Sequence, residues 1–275
     1  MITALLMAQA ATLGATNYSV EAPMAPPDEP PTFADEFEGE RVDPANWRFD
    51  IHANAQGWYN DELQYYADDR PENTRIEDGA LVIEAHREEV PRDRFPDTGG
   101  QDYTSARLIS QSSYGYGFYE VRAKLPCGRG IWPAIWLLPA EGPWPDSGEI
   151  DVMEMVGWDP NVIHGTLHSG DYNHAKGTQR GAQMLVPTAC TEFHRYQLDW
   201  QPSSITIGID DRAFMRVENE RPGDEGAWPF TRPYELILNV AVGGGWGGQQ
   251  GVDDTAFPQA MAVDYVRHWH DDEAR

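Results

Sequence analysis

Phe118-Tyr119-Glu120-Val121-Arg122-Ala123-Lys124-Leu125 decides how this chain folds. Tyr119, Val121, Ala123 and Leu125 alternate with Glu120, Arg122 and Lys124. A period of two puts each set on one side of an extended chain, so the stretch reads as a half-buried β-strand. The period recurs outward from there. In residues 194–200, Tyr196, Leu198 and Trp200 alternate with Arg195, Gln197 and Asp199, and Ile205, Ile207 and Ile209 stand two apart. Val263, Tyr265, Arg267 and Trp269 continue it. Residues 80–86 form an apolar run entered through the turn Glu77-Asp78-Gly79, and residues 105–111 follow a Gly-rich loop. Long segments with apolar residues at helical spacing are missing. With 26 Gly and 21 Pro to supply turns, the expected fold is all-β, a sandwich of two stacked antiparallel sheets. A length of 275 residues suits one such domain.

The ends read differently. Residues 2–15 are apolar and rich in small residues, and Ala8-Gln9-Ala10 is similar to a small-x-small cleavage site, but the Lys/Arg of a normal signal peptide are missing. An export signal and a disordered extension both remain open; the stretch is too short to span a membrane. Residues 21–31 hold five prolines, so residues 16–31 read as an unstructured linker, with the folded domain starting near Thr32 and running to 275. A secreted or periplasmic location and a monomeric state are expected. The net charge of −25, from 45 acidic and 20 basic residues, repels phosphate backbones and anionic lipid, which excludes nucleic acid and membrane as partners. The two cysteines, Cys127 and Cys190, lack metal-type spacing and are expected to be free or buried thiols.

The chemistry concentrates in Gly148-Glu149-Ile150-Asp151-Val152-Met153-Glu154-Met155. Glu149 and Asp151 are two apart and share a strand face, while Ile150 and Val152 face the core. Glu154, five residues from Glu149, would point inward in a regular strand. A one-residue β-bulge near Met153 would return it to the acidic face, and bulges often lie beside active sites. Acidic residues on a strand usually mark only a solvated face. Three crowded carboxylates, however, must raise at least one pKa. Glycoside hydrolysis needs that: one carboxylate attacks and another donates a proton, with the two about 5–5.5 Å apart for retention. Asp151 between them could hold the shared proton and orient the nucleophile.

Aromatic residues flank this strand. Trp132 and Trp136 are four apart in Ile131-Trp132-Pro133-Ala134-Ile135-Trp136-Leu137-Leu138-Pro139, and Trp246 stands among five glycines in residues 243–248. Tryptophan is often core filler, but exposed aromatic faces stack on sugar rings. His164 and His168 could pair on zinc, yet no third ligand has matching spacing. A hydroxyl or carboxylate partner suits His168 better.

Glu149-Ile150-Asp151-Val152-Met153-Glu154 resembles the catalytic motif of glycoside hydrolase family 16, in the form with the extra bulge residue. Within it the chain is similar to the laminarinases, endo-β-1,3-glucanases. Supporting segments are Gly57-Trp58-Tyr59-Asn60-Asp61-Glu62-Leu63-Gln64-Tyr65-Tyr66, Ala106-Arg107-Leu108-Ile109-Ser110, the Trp132–Trp136 stretch and the Trp246 loop. The likeness runs from about residue 33 to 269. It implies a β-jelly roll with a concave cleft, Glu149 as nucleophile, Asp151 as helper and Glu154 as acid/base. It also implies that Asn60, Arg107, Trp132, Trp136, His168 and Trp246 line glycone subsites, and that catalysis needs no cofactor. A structural calcium is implied at Glu36 and Gly79, through main-chain oxygen, and at the Asp264 carboxylate, oxygen donors of the kind calcium takes. One departure is that the common Gly-Trp-Gly-Asn-Asn-Glu form reads Gly-Trp-Tyr-Asn-Asp-Glu here. That puts the shape of the outer subsites in doubt.

A β-glucan is thus the expected partner. The alternatives are a mixed-linkage glucanase or galactanase of the same family, which the extra bulge residue and the Asn60 and Trp246 segments disfavour, and a non-catalytic glucan-binding protein, which typically lacks the two glutamates.

Overall fold

A computed structural model describes residues 18–271. The strands in chain order are β1 (Ser19–Pro23), β2 (Phe33–Asp35), β3 (Trp47–Phe49), β4 (Gln64–Tyr66), β5 (Thr74–Glu77), β6 (Ala80–Arg87), β7 (Tyr103–Ser105), β8 (Arg107–Tyr114) and β9 (Gly117–Lys124). They continue as β10 (Ile131–Leu138), β11 (Glu149–Glu154), β12 (Val162–His168), β13 (Arg180–Leu185), β14 (His194–Gln201), β15 (Ser204–Ile209), β16 (Arg212–Glu218), β17 (Tyr234–Val242) and β18 (Gln259–His270). Each alternating segment noted in the sequence falls on a strand. One sheet runs β1-β16-β15-β14-β9-β18-β6-β7-β4, with β2 against β18 and β5 against β6. The other runs β13-β12-β11-β10-β17-β8-β3. Pairing is antiparallel apart from β4 with β7, and the two stacked sheets form the expected jelly-roll sandwich.

The inner faces make one core. Tyr119, Val121 and Ala123 of β9, with Tyr196, Leu198 and Trp200 of β14, meet Ile131, Ile135 and Leu137 of β10 and Ile150 and Val152 of β11. Fully burying a side chain of this size stabilises by roughly 1.5–3 kcal/mol. The outer face of the seven-stranded sheet is left to carry polar and aromatic side chains, and the candidate site lies there.

Two expectations are corrected. The linker assigned to residues 16–31 contains β1, which pairs Ser19 with Met215 and Ala22 with Ala213. Met24 then packs with Phe118, Ala213 and Trp269, and the Trp269 indole donates to the Glu29 carbonyl at 2.7 Å. The folded unit thus includes residues well before Thr32. β1 lies on a sheet edge and is mostly exposed, so it shows no alternation, and an edge tolerates Pro23. Second, Cys127 and Cys190 form a disulfide, with Cα atoms 5.8 Å apart. Sequence hides this because 63 residues separate them; the Leu125 amide donates to the Ala189 carbonyl at 3.0 Å and draws the two segments together. The export-signal stretch lies outside the described residues.

Candidate active site

β11 holds the carboxylates. Against β12, Asp151 faces Thr166 and Glu154 faces His164. Val152 and Met153 therefore stand opposite the single residue Gly165. This is the expected bulge, and both bulged side chains are buried in the core. Against β10, Ile135 pairs with Met153 and Trp136 with Asp151, so Val152 is the residue skipped. Glu149, Asp151 and Glu154 consequently share the outer face. Gly148, just before the strand, has φ 86°, a backbone region that disfavours other residues. A side chain there would also strike the Tyr234 hydroxyl, which instead donates to the Ser147 carbonyl at 2.7 Å.

The two glutamates line a cleft of about 380 Å³ together with Asn60, Trp132, His168 and Trp246. Each glutamate accepts one indole N–H: Glu154 from Trp132 at 3.0 Å and Glu149 from Trp144 at 2.7 Å. His168 Nε2 lies 3.3 Å from Asp151 and 3.9 Å from Glu149. Burial, reinforced by the charge of Asp151, pushes Glu149 up to about 8, with His168 and the Trp144 indole opposing. Burial, with the charge of Glu149, lifts Glu154 to about 7. Asp151, the most enclosed, is held well above the usual carboxylate range by burial and by Glu154. The three share protons as one unit. Asp151 and Glu149 share a hydrogen bond that raises Glu149 and lowers Asp151. Taken singly, Glu149 stands above Glu154, the reverse of what nucleophilic attack requires.

The expected glycone residues form a row along the sheet. The Trp136 indole donates to Asn239 at 2.7 Å. Arg107 is buried between the rings of Trp136, 4.8 Å away, and Trp58, 5.3 Å away, and pairs with Asp50 at 3.0 Å. Arg107 and Trp136 stand beside the cleft lining rather than in it. Asn60 sits in a short 3-10 turn, Tyr59–Asp61, at φ 57°, and its carbonyl accepts from the Gly245 amide at 2.7 Å. This bond ties the turn to the Trp246 loop. Trp246 has more packing than its glycine surroundings suggest. Trp132 and His164 meet it edge-on at 5.3 and 5.0 Å, because β10 and β12 supply neighbours that local sequence cannot.

Sequence reasoning missed several lining groups. Trp144, from the loop before β11, and His174, from a short 3-10 turn (His174–Lys176), pack ring on ring at 4.8 Å beside Glu149. Thr166, Gln179 and Gln183 line the far side of the cleft. The only hint was in β12, where Thr166 lies between His164 and His168 at strand spacing. Glu62 is half-buried, with a pKa raised by desolvation, and accepts from Gln64 at 2.8 Å.

Among the described residues the only cluster of metal-type donors is Glu149, Asp151 and His168, one atom of each within 4.8 Å of the others. His164 is not part of it, so the zinc pair does not assemble. The calcium set lies on the other sheet. Glu36 takes two bonds from Arg267, at 2.8 and 2.9 Å, Asp264 pairs with Arg122, and Gly79 offers only main-chain oxygen. Glu36 and Gly79 are the expected main-chain donors, which the Arg267 pair does not engage, and the one expected carboxylate, that of Asp264, is held by Arg122; no chemical step is routed through this set.

Residues 64–267 match the sequence profile described as glycosyl hydrolases family 16. A β-glucanase of Rhodothermus marinus is 49% identical over 247 residues, covering 86% of this chain and 83% of its own. A glucan endo-1,3-β-glucosidase of Cryptopygus antarcticus is 37% identical over 248 residues, 86% of this chain and 90% of that one. Among solved structures, the non-specific endo-β-1,3(4)-glucanase SCLam superposes with a TM-score of 0.88 at 50% identity, over 92% of this chain and 96% of that one. A glutamate-to-serine variant of SCLam presents a 1,3-β-D-cellobiosyl-glucose at its active site. Matched along most of its length, and this close to its neighbours in sequence and backbone, the chain belongs to glycosyl hydrolases family 16.

Proposed function

We propose that the protein is a retaining endo-glucanase that cuts β-1,3-linked glucan. The observation that carries this is the β11 bulge, which brings Glu149, Asp151 and Glu154 to one face between aromatic walls. Glu154 protonates the departing glycosidic oxygen while Glu149 attacks the anomeric carbon, giving a covalent glycosyl-enzyme. Glu154 then takes a proton from water, which attacks in turn and restores Glu149. Asp151 shares a hydrogen bond with Glu149 and keeps it oriented. Trp132, Trp136, Trp246, Asn60, Arg107 and His168 position the glycone, and no cofactor takes part. The names of the relatives support a glucan substrate, and likeness to a non-specific β-1,3(4)-glucanase favours additional action on mixed-linkage β-1,3-1,4-glucan.

The enzyme works as an exported monomer. The Cys127–Cys190 disulfide supports an oxidising compartment. Exposed large apolar side chains among the described residues are scattered: Tyr59, Leu63, Trp144 and Leu185.

The test is reducing-sugar release from laminarin beside mixed-linkage glucan, agarose and carrageenan. Fast release from laminarin, with short β-1,3 oligosaccharides as products, is expected. Activity on agarose or carrageenan alone would overturn the substrate assignment. Glucan binding without release from any of the four would overturn the enzyme assignment.

A further inference from the structure

A ladder of rings runs beside the cleft, on the side away from β12. Trp136 leads to the Arg107 guanidinium at 4.8 Å, which leads to Trp58 at 5.3 Å. Trp58 meets His52 edge-on at 5.1 Å, and His52 meets Tyr59 at 6.1 Å. The inner members are buried, Arg107 at 8% and Trp58 at 5% exposure, whereas Tyr59 is 64% exposed.

Polar bonds hold that outermost ring in place. Asp50 lies 3.0 Å from Arg107 through one oxygen and 2.6 Å from His52 Nδ1 through the other. With Nδ1–H donating to the carboxylate, Nε2 is left to accept the Tyr59 hydroxyl, 3.3 Å away. Tyr59 thus presents a large, oriented apolar face to solvent, and little rotamer freedom remains to be lost when something stacks on it. Its neighbour in the chain, Asn60, lines the cleft, so the platform continues the substrate path.

We propose that Tyr59, braced by His52 and Asp50, is an outer sugar-stacking platform that binds a glucosyl unit beyond those held by the cleft, and so favours long chains. This rests on the β-glucanase reading above. The occupant is a further glucosyl ring of the same chain, its C–H face on the phenol ring, because Tyr59 adjoins in sequence the cleft-lining Asn60 and Asp61.

The experiment compares kcat/KM on linear β-1,3-glucosyl oligosaccharides from trimer to heptamer for wild type, Tyr59→Ala and Tyr59→Phe. The heptamer-to-trimer ratio of kcat/KM is expected to fall roughly five- to ten-fold in Tyr59→Ala, the loss carried in KM. Tyr59→Phe keeps the ring and most of the ratio. An unchanged ratio in Tyr59→Ala overturns the platform, as does an equal loss on trimer and heptamer, which would mark Tyr59 as structural. If wild type cleaves none of the oligosaccharides, the β-1,3-glucanase reading falls and the platform with it. Cleavage that does not depend on Tyr59 sinks the platform alone.

Discussion

Replacing Trp144 by Phe removes one hydrogen bond to Glu149, the proposed nucleophile, and leaves an aromatic ring in its place. The Trp144 indole N–H donates to Glu149 Oε2 at 2.7 Å and stabilises the charged carboxylate. A hydrogen bond to a charged group is worth about 1.5–3 kcal/mol. Trp144 is 41% exposed, so water makes up part of the loss, and about 1–1.5 kcal/mol remains. At roughly 1.4 kcal/mol per decade, kcat/KM at mildly acidic pH should drop about five- to ten-fold. The sign follows from which state is favoured. The donor favours ionised Glu149, so its removal raises the pH at which Glu149 becomes charged. The acidic limb of kcat/KM against pH should therefore move up by roughly one unit or a little less. The alkaline limb, set by the proton on Glu154, should stay. The assay is laminarin hydrolysis from pH 4 to 9 for wild type and Trp144→Phe, with Tm measured alongside. An unmoved acidic limb, or a uniform loss at every pH, would refute the reasoning.

Glu149→Gln and Glu154→Gln should each lower glucan hydrolysis by at least about a thousand-fold. On an activated aryl glycoside only Glu154→Gln should keep a burst of aglycone release, and the opposite pattern would exchange the two roles. Glu149 ordinarily titrates near 4.5 and is held at about 8 in the fold, so between those values the folded state binds more protons and stability falls as pH rises. Relative to wild type, Glu149→Gln should therefore gain Tm from pH 5 to pH 8, reaching roughly 3 °C or more; a gain that does not vary with pH would count against the burial argument. Breaking the Cys127–Cys190 bridge by Cys→Ser at both positions should lower unfolding free energy by about 2–4 kcal/mol, read from denaturant midpoints; no change would mean the bridge is redundant. Chelation should leave kcat on laminarin unchanged, since Glu36, Gly79 and Asp264 sit on the sheet opposite the cleft, and loss of kcat would refute that separation.

Local sequence carries a feature when the cause is local. Alternation along residues 118–125 and 194–200 reports burial of one strand face, and the strands lie where it says. The odd spacing of Glu149 and Glu154 reports a bulge, because no regular strand could bring both to the acidic face. What depends on remote partners left no mark. Trp144 reaches Glu149 from a loop whose residues show no periodicity. Trp246 draws its neighbours from β10 and β12. β1 is a strand only because β16 offers an edge, and the two cysteines meet only once the sheets stack. The guanidinium partners of Glu36 and Asp264 are likewise invisible until Arg267 and Arg122 are placed around them.

The position of β18 bears on how the molecule is made. The last described strand lies inside the eleven-stranded sheet, between β9 and β6, and also carries β2. Until residues 259–270 have left the ribosome, β9 and β6 each present an unpaired edge, and the sheet stays split in two halves. Most of the nascent chain must therefore wait, open to mispairing and to chaperones, for its closing segment. A chain that stays open this long is also one that can still be threaded through a narrow pore, and once β18 has slotted in, that opportunity ends.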